Sequence, residues 1–454
     1  MDRRKLIIGA VIGFVVILLL IVTLAISGGN KNKKNQKSKV GSGNITLTYW
    51  RVFDDKETFD PIIADYQKEH PNIKIEYKKL DYADYEKKLL EALAAGRGPD
   101  LFSIGNAWVP KYQDKITAMP DDMLSVDEYN RTFFKVAAQD NVIDNKIYGL
   151  PYAIDSLGLF VNTTLTGRAE LYDPPQTWED LVGKGGCVAG KPVDPAKPGM
   201  LAKLNNRQGN TFNQSAIALG TGNVSRSADI LALMMLQQRT TMVNDNHDQA
   251  TYNLTQKVEG KDIHLGTEAL KFYTSFADPG NPCYAWNAQQ GDAVSAFAQG
   301  KTAMLLGYSY TVQALTRLNP NLTYSVYPAP QIGGQDPVNY ASYWTEVVAK
   351  RSQHQTEAWD FIRFAADKSH LDDYLDKAQR VSSRKDISTG GNVAAIYKQN
   401  ETAVSWYKGE YLQADPIFVG MINQVVGGED PQRAIDAAAN QQTNVLRELK
   451  GSGS

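Results

Sequence analysis

The segment that decides the fold begins with ITLTYW at 45–50 and extends from Asn44 to Trp108. Apolar and polar residues alternate along ITLTYW, which predicts a strand. Four further elements are predicted: a helix from Asp60-Pro61 to His70, a strand with Ile73, Ile75 and Tyr77, a helix with Tyr85, Leu89 and Leu93 on one face, and the strand LFSI at 101–104. The order strand, helix, strand, helix, strand is typical of right-handed crossovers that build a parallel sheet.

The carboxyl ends of the first and third strands carry aromatic and polar side chains. Trp50 and Asp54 lie at the end of the first strand, and Trp108 follows the third strand. Open parallel sheets bind their ligands beyond the carboxyl ends of the strands, so these three residues are candidate ligand contacts. The predicted fold class is α/β.

Length, charge and composition narrow the class of protein. The 454 residues exceed the ~250–300 at which a single hydrophobic core stops growing, so at least two domains or lobes are expected. The formal net charge is −2, which argues against a nucleic-acid partner because that partner requires a basic surface. The 23 tyrosines and 7 tryptophans suit a site in which rings stack on a sugar-like ligand.

The N-terminal region is predicted to direct the protein out of the cytoplasm. Residues 6–26 are uncharged, apolar and long enough to cross a bilayer. Two interpretations remain open: a transmembrane anchor or uncleaved signal, and a secretory signal that is cleaved before Gly28. Residues 27–43 are rich in Asn, Lys, Gly and Ser and are predicted to be a flexible linker. We expect the protein on the extracellular face of the cell membrane, or secreted if the signal is cleaved.

The chain has two cysteines, Cys187 and Cys283. Two thiols are too few for a disulfide scaffold. One bridge could join them if the chain lies outside the cytosol.

The sequence lacks the motifs that mark catalysis or a metal site. Its five histidines are scattered, and none forms the His-x-x-x-His pair of a zinc-binding helix. It contains no Gly-x-Ser-x-Gly elbow, Walker loop or dinucleotide fingerprint. We therefore expect no catalytic residue, no metal ion and no cofactor, which favours a receptor over an enzyme.

Further candidate contacts lie where the chain is predicted to cross between lobes. Asp155 lies between apolar residues after a proline-marked bend, and Tyr308 and Tyr310 directly follow a short buried strand at 302–306. Sugars require polar partners for their hydroxyl groups and aromatic rings for their C–H faces. The candidate set is completed by Trp344, Trp406 and Arg384.

Four motifs, taken together in their order and spacing, give the chain a family resemblance. They are AGRGPDLF at 95–102, LPYA at 150–153 with LFVN at 159–162, TWEDL at 177–181, and FAQGKTAM at 297–304 followed by Gly307 and Tyr308. The last motif is the most specific and resembles the pattern Phe-x-x-Gly-Lys-x-Ala-Met. With these motifs the chain resembles the extracellular solute-binding proteins of ABC importers, the class that includes maltose-binding protein.

The resemblance implies a periplasmic-binding-protein-like fold, in which crossing hinge strands join two α/β lobes and a ligand cleft lies between them. Lobe 1 would comprise 44–154 and 309–366, and lobe 2 would comprise 155–308 and 367–449. The residues that resemble sugar-contacting positions of the family are Trp50, Asp54, Trp108, Asp155, Tyr308 and Tyr310, followed by Trp344 and Trp406.

The resemblance also implies a function. The protein would capture a small solute, and the aromatic content favours a carbohydrate. It would deliver this solute to a membrane permease served by a separate ATPase subunit. Two alternatives remain: a secreted hydrolase with Asp54 and Asp155 flanking a glycosidic bond, and a binding protein that serves sensing or adhesion without transport.

Overall fold

The structure is a computed structural model that describes residues 41, 43–187 and 193–451. The predicted membrane segment at 6–26 and nearly all of the predicted linker at 27–43 lie outside these residues. Within the described ranges, no helix is both long and apolar enough to cross a membrane.

The first of two five-stranded sheets forms around the segment that begins at Asn44. Its strands are β1 (Ile45–Arg51), β2 (Ile73–Lys79), β3 (Leu101–Gly105), β4 (Ile116–Thr117) and β16 (Trp344–Ala349). They are ordered β2-β1-β3-β16-β4. β1 runs parallel to β2 and to β3, as the predicted crossovers require, whereas β16 pairs antiparallel with β3.

Helix α1 (Lys56–Glu69) starts earlier than predicted, and Pro61 lies inside it. The sequence predicted a start at Asp60-Pro61, because proline is best tolerated in a first turn. The reason for the difference is Phe59, whose buried ring stacks on Tyr77 and lies 4.4 Å from the guanidinium carbon of Arg51. Burial of this ring contributes roughly 1.5–3 kcal/mol, which is comparable with the ~3 kcal/mol cost of an internal proline.

The second five-stranded sheet contains the strand predicted at 302–306. Its strands are β8 (Gly158–Asn162), β9 (Asn206–Gln208), β10 (Thr211–Ile217), β13 (Thr302–Gly307) and β14 (Tyr324–Pro328). They are ordered β14-β8-β13-β10-β9. β13 is central, parallel to β10 and antiparallel to β8, and all its residues are buried.

A small sheet connects the two larger ones. Its strands are β7 (Asp155–Ser156), β15 (Asn339–Ser342) and β17 (Ala403–Val404). β7 leads directly into β8 of the second sheet, and β15 leads directly into β16 of the first. The remaining strands form two hairpins: β5 (Val142–Ile143) with β6 (Lys146–Ile147), and β11 (Gln256–Val258) with β12 (Lys261–Ile263).

Helices surround the sheets. After α1 the α-helices are α2 (Tyr82–Ala94), α3 (Val109–Tyr112), α4 (Val126–Thr132), α5 (Lys135–Asn141), α6 (Thr163–Arg168), α7 (Trp178–Val182), α8 (Leu201–Leu204), α9 (Ser227–Gln237), α10 (Leu265–Ser275), α11 (Ala293–Ala298), α12 (Thr311–Leu318), α13 (Gln355–Ala365), α14 (Lys368–Ala378), α15 (Ala394–Gln399), α16 (Tyr411–Val426) and α17 (Pro431–Gly451). Short 3-10 helices lie at Asn106–Trp108, Ala288–Gln290, Gly391–Val393 and Asn400–Thr402.

Buried apolar side chains form separate cores around the two sheets. Successive residues of a strand face opposite sides, so Leu101 packs on one face of the first sheet and Phe102 on the other. We call the cluster that contains Phe102 and Trp108 the Trp108 cluster. A third cluster surrounds β13 of the second sheet. The described chain therefore has two α/β halves, which we call the first half and the second half after their sheets.

Two elements lie differently from the predicted lobe bounds. β14 pairs with β8 of the second sheet, whereas 309–366 was predicted for lobe 1. α14 packs against α1 and contributes Leu371 to the core of the first half, whereas 367–449 was predicted for lobe 2. In both segments the chain passes from one half to the other through a short connection. A single sequence has no strong signal for such a crossing. The full set of lobe bounds stays a prediction.

A disulfide joins Cys187 to Cys283 within the second half. It connects the glycine-rich loop after α7 to the segment after α10. The bridge that the sequence left open is thus present.

Candidate functional site

A cleft of about 370 Å³ lies between the two halves. The first half lines it with residues that follow β1 and with the start of β16. The second half lines it with Tyr308, Ser309 and Tyr310, which follow β13. The cleft therefore lies at the strand ends where the sequence predicted it.

Arg51 forms the charged floor of the cleft on the side of the first half. Its guanidinium lies 3.3 Å from a carboxylate oxygen of Asp54 and 3.2 Å from one of Glu346. All three side chains are buried. Burial alone would lower the pKa of Arg51, but the carboxylate of Glu346 and the neighbouring groups hold it well above its ordinary value.

Asp54 is held by groups from a distant part of the chain. Arg380 donates to one carboxylate oxygen at 3.2 Å, and the Tyr374 hydroxyl donates to the other at 3.0 Å. Burial raises the pKa of Asp54, but the Arg51 and Arg380 guanidinium groups outweigh burial and leave the pKa below its usual range. Asp54 is therefore an ionised acceptor with a fixed orientation.

Asp155 occupies the crossing strand β7. Its carboxylate accepts hydrogen bonds from the backbone N–H of Ser309 at 2.9 Å and from the Ser309 hydroxyl at 2.6 Å. Burial raises the pKa of Asp155 to about 6, although the Ser309 hydrogen bonds favour the ionised form. Asp155 thus ties β7 to the end of β13 and titrates close to neutral pH.

An ion cluster supports the wall of the second half. The Tyr308 hydroxyl donates to Asp229 at 3.0 Å, Lys408 lies 3.1 Å from the same carboxylate, and Arg226 also pairs with it. Lys408 also lies 2.6 Å from Asp415. Burial raises the pKa of Asp229, but Lys408 and Arg226 outweigh burial and lower it below its ordinary value. Of these five residues, Arg226, Tyr308 and Asp415 line the cleft.

Exposed aromatic rings face the mouth of the cleft. Phe53 is 47% exposed and Tyr310 is 43% exposed, although both are large side chains. The Phe53 ring stacks on Tyr82 and meets Trp344 edge to face, with centroids 5.2 Å apart in the second pair. Tyr310 lies beside the buried ring of Tyr308. Each half therefore presents an aromatic surface to the cleft.

The structure brings five of the nine predicted site residues together and leaves four away from the cleft. The five that line it are Asp54, Asp155, Tyr308, Tyr310 and Trp344. Their contact with a ligand stays a prediction.

Two of the other four residues pack in or beside the first half. Trp108 is only 2% exposed, stacks on Tyr112 and supports Trp344 from behind at 5.5 Å between ring centroids. Trp50 packs against the Trp108 cluster and receives the Lys78 ammonium over its ring at 5.0 Å. Trp108 follows its strand as predicted, but its ring turns into the core.

The remaining two residues also lie elsewhere. Trp406 is 7% exposed and packs against Tyr252 and Phe418. Arg384 forms a two-pronged ion pair with Asp386, at 2.8 and 2.9 Å. A partner two residues away satisfies this guanidinium.

Several cleft residues were missed. Arg51 and Phe53 directly follow the first strand, so the rule that pointed to Asp54 would also have found them. Arg226, Arg380 and Tyr411 are brought to the cleft from loops and a helix start distant in the sequence, and nothing local to them marks a site.

A second groove of about 750 Å³ lies behind the wall of the cleft and shares no lining residue with it. Tyr343 lines the cleft, and its hydroxyl donates to Asp140, which lines the groove, at 2.7 Å. Trp406 and Tyr407 also line this groove. In the part of the chain that the structure covers, no group of three or more His, Cys, Asp or Glu residues could hold a metal ion.

Comparison with known sequences agrees with the family resemblance described above. The sequence model of a family described as bacterial extracellular solute-binding protein matches residues 61–402. The chain is 22% identical over 429 residues to the galactooligosaccharide-binding protein of Bacillus subtilis, covering 90% of this chain and 91% of that protein. It is 22% identical over 360 residues to the melibiose/raffinose/stachyose-binding protein MelE of the same organism, covering 77% and 76%.

The fold is similar to that of solved sugar-binding proteins. The sugar-binding protein MalE from Xanthomonas citri superposes with a TM-score of 0.72 over 89% of this chain and 98% of that chain, at 20% identity. The cyclic alpha-maltosyl-1,6-maltose binding protein from Arthrobacter globiformis gives a TM-score of 0.69 over 89% and 100%, at 18% identity. At these identities the likeness establishes the two-lobed α/β fold.

Proposed function

Because this chain belongs to the bacterial extracellular solute-binding protein family, we propose that it binds a carbohydrate in the cleft and delivers it to an ABC permease. The observation that carries the proposal is the composition of the cleft. Exposed rings from both halves can stack on the C–H faces of a sugar, and fixed charged groups can bond to its hydroxyl groups. Relatives named for galactooligosaccharides and for melibiose, raffinose and stachyose support a sugar as the solute.

The proposed mechanism is closure of the two halves around the ligand. A sugar that touches Phe53 and Trp344 on one side and Tyr310 on the other stabilises the closed form, because only that form makes both sets of contacts. The connecting sheet of β7, β15 and β17 is the proposed hinge. The closed form then docks on the permease. The ATPase that powers transport is a separate subunit, since the sequence holds no Walker loop.

Isothermal titration calorimetry tests the ligand class. We expect saturable binding of raffinose, a galactooligosaccharide or maltotriose, and no heat from amino acids or inorganic phosphate. Small-angle X-ray scattering should give a smaller radius of gyration for the protein with bound sugar than for the free protein. Binding of a peptide or an anion in place of every sugar would contradict the carbohydrate assignment.

Cleavage of the sugar is the alternative that Asp54 and Asp155 raised from the sequence. The relatives are binding proteins, and the oxygens of both carboxylates are already engaged by protein groups. We propose that the ligand leaves unchanged. Chromatography of the sugar after long incubation tests this, and new products would favour the hydrolase.

The other alternative is a protein that serves sensing or adhesion without transport. It predicts that the sugar-loaded protein fails to stimulate a permease ATPase in reconstituted vesicles.

We also propose that the protein acts outside the cytoplasm, anchored by residues 6–26. The family is extracellular by description, and the length of this apolar segment supports an anchor. N-terminal sequencing of the protein extracted from membranes tests the anchor. A mature chain that begins near Gly28 would indicate cleavage instead.

A further inference from the structure

Helix α16 belongs to one half and begins in the other. Its later residues Phe418 and Met421 pack in the core of the second half. Its first residue, Tyr411, packs in the Trp108 cluster of the first half and lines the cleft. The Tyr411 hydroxyl donates to Asn106 at 3.0 Å. The start of α16 therefore bridges the halves at the wall of the cleft.

Three ionisable side chains meet at this point and are nearly buried. Lys111 of α3 lies 2.7 Å from a carboxylate oxygen of Glu410, the residue that caps α16. Lys111 also pairs with Glu86 of α2, and the Tyr112 hydroxyl donates to Glu86 at 3.1 Å. Two residues of the first half thus hold the residue directly before Tyr411.

Both carboxyl groups contact the same Lys111 ammonium, and a hydrogen bond between them favours a single proton on the pair. Burial, together with Glu410, raises the pKa of Glu86 to about 8. Burial also raises the pKa of Glu410, but the Glu86 hydrogen bond and Lys111 outweigh it and lower that pKa. At neutral pH the cluster is one carboxylic acid, one carboxylate and one ammonium, which balances its charge.

The Lys408 ammonium lies 4.5 Å from the Tyr411 ring, and its carboxylate partners keep it protonated. The other titratable groups that face the cluster are phenols. They are Tyr112, Tyr407 and Tyr82, and burial raises the pKa of each one. For Tyr407 the pKa rises to about 12. These phenols stay neutral between pH 6 and 9, so the charge of the cluster changes there through its carboxyl groups.

We propose that Glu86, Lys111 and Glu410 are positioning residues. Through a shared proton they form a cluster, which we call the clasp, and this cluster holds Tyr411 in the wall of the cleft. Loss of the shared proton leaves two carboxylates against one ammonium in a nearly buried site. Their repulsion loosens the start of α16 and withdraws Tyr411 from its place. The link to sugar affinity rests on the proposed function, whereas the clasp itself does not.

The test compares sugar affinity at pH 7 and pH 9. In the wild type we expect the affinity to fall about fivefold or more across this range. Glu86→Gln supplies a neutral donor to Glu410 at every pH, so its affinity should match the wild type at pH 7 and stay constant to pH 9. Asp84→Asn removes an exposed carboxylate from the same helix and should keep the wild-type pH profile.

A second pair of variants separates a shared proton from ordinary packing. Glu410→Gln removes the other carboxyl, so Glu86 ionises at lower pH beside Lys111 and the change near pH 8 again disappears. The double variant Glu86→Gln with Glu410→Gln leaves the Lys111 ammonium without a carboxylate and should weaken binding at every pH. Equal pH profiles in the wild type and both single variants would overturn the proposal.

A readout without sugar keeps the two proposals distinguishable. Lys111 lies 5.5 Å from the Trp108 ring, so tryptophan fluorescence of the free protein should change near pH 8 in the wild type and not in Glu86→Gln. This change without any sugar binding would support the clasp and contradict the proposed function. Sugar binding without this change would support the function and overturn the clasp.

Discussion

The cleft and the second groove stand back to back, and the groove has about twice the volume, 750 Å³ against 370 Å³. Both receive residues from the two halves. In the groove, burial raises the pKa of Asp140, whose oxygens accept bonds from Asn106, Tyr343 and Ser405, while Arg239 and His247 are exposed. In the cleft, charged side chains are buried beside exposed rings.

Under the proposed function, this difference means that the volume of a cavity does not identify the binding site. Taking an ion out of water costs several kcal/mol, and an opposite charge offsets this cost only when the geometry is good. Buried ion pairs at a cleft are therefore weak evidence for a purely stabilising role. Aromatic rings exposed at the mouth of the cleft are also unfavourable, because their apolar surface stays in contact with water. Both features occur at the smaller cavity, and the larger one can arise simply because two lobes of irregular shape meet.

The largest effect is expected from Arg51→Met. This change leaves Asp54 and Glu346 without their buried cation, and breaking such a pair typically costs about 3–5 kcal/mol. The free energy of unfolding from urea titrations should fall by that amount, and sugar binding should be lost. Arg239→Met in the groove is the matched control, with an expected change of about 0.5 kcal/mol or less. Equal losses would remove the contrast between the two cavities.

A tenfold effect on affinity is expected from Tyr310→Ala. Loss of one stacking ring should weaken sugar binding by about 1.4 kcal/mol, which is tenfold in the dissociation constant. Tyr407→Ala removes a ring of the same kind from the groove and should leave the affinity unchanged. Calorimetry of both variants with the same sugar measures the pair. Equal weakening would show that the ligand also reaches the groove.

The sequence allowed the frame of the cleft to be predicted, because strand ends are local features. The alternating ITLTYW segment located β1, and the buried strand at 302–306 located the turn that carries Tyr308. It was harder to predict which aromatic side chains line the cleft. Trp50, Trp108 and Trp406 were predicted as contacts, yet they pack as core or in the groove, since a tryptophan has the same local pattern in both settings. Arg380 could not be found, because only tertiary structure brings it to Asp54.

A smaller effect concerns Asp155 and the pH dependence of stability. Its pKa of about 6 in the folded protein lies above the ordinary value of 3.8, so folding favours the protonated form. Its favourable contribution is complete below about pH 4 and is lost as the pH rises through 6. Asp155→Asn is neutral throughout. The melting temperature of this variant, relative to that of the wild type at the same pH, should therefore rise by about 2 °C between pH 4 and pH 7.

Thermal melts at several pH values in one buffer system measure this difference. Asp140→Asn is the counterpart in the groove: burial also raises the pKa of that carboxyl group, so the difference in melting temperature from the wild type should again grow with pH. A constant difference between Asp155→Asn and the wild type at all pH values would show that Asp155 does not titrate in this range.

The smallest effect on sugar affinity is expected from Trp406→Phe. Its ring packs against Tyr252 and Phe418 and lines the groove, so the dissociation constant should stay within about twofold of the wild type. The free energy of unfolding should fall by about 1–2 kcal/mol, because a buried ring becomes smaller. A tenfold loss of affinity would support the sequence prediction that Trp406 contacts the ligand.

The bridge between Cys187 and Cys283 bears on how the protein matures. Forming it requires an oxidant, and the bacterial cytosol keeps thiols reduced, so the native second half is completed only after export. Recombinant material made in a reducing cytoplasm would retain two free thiols. Preparations for the measurements above should therefore come from a secretory route or be checked for thiol content by alkylation and mass spectrometry.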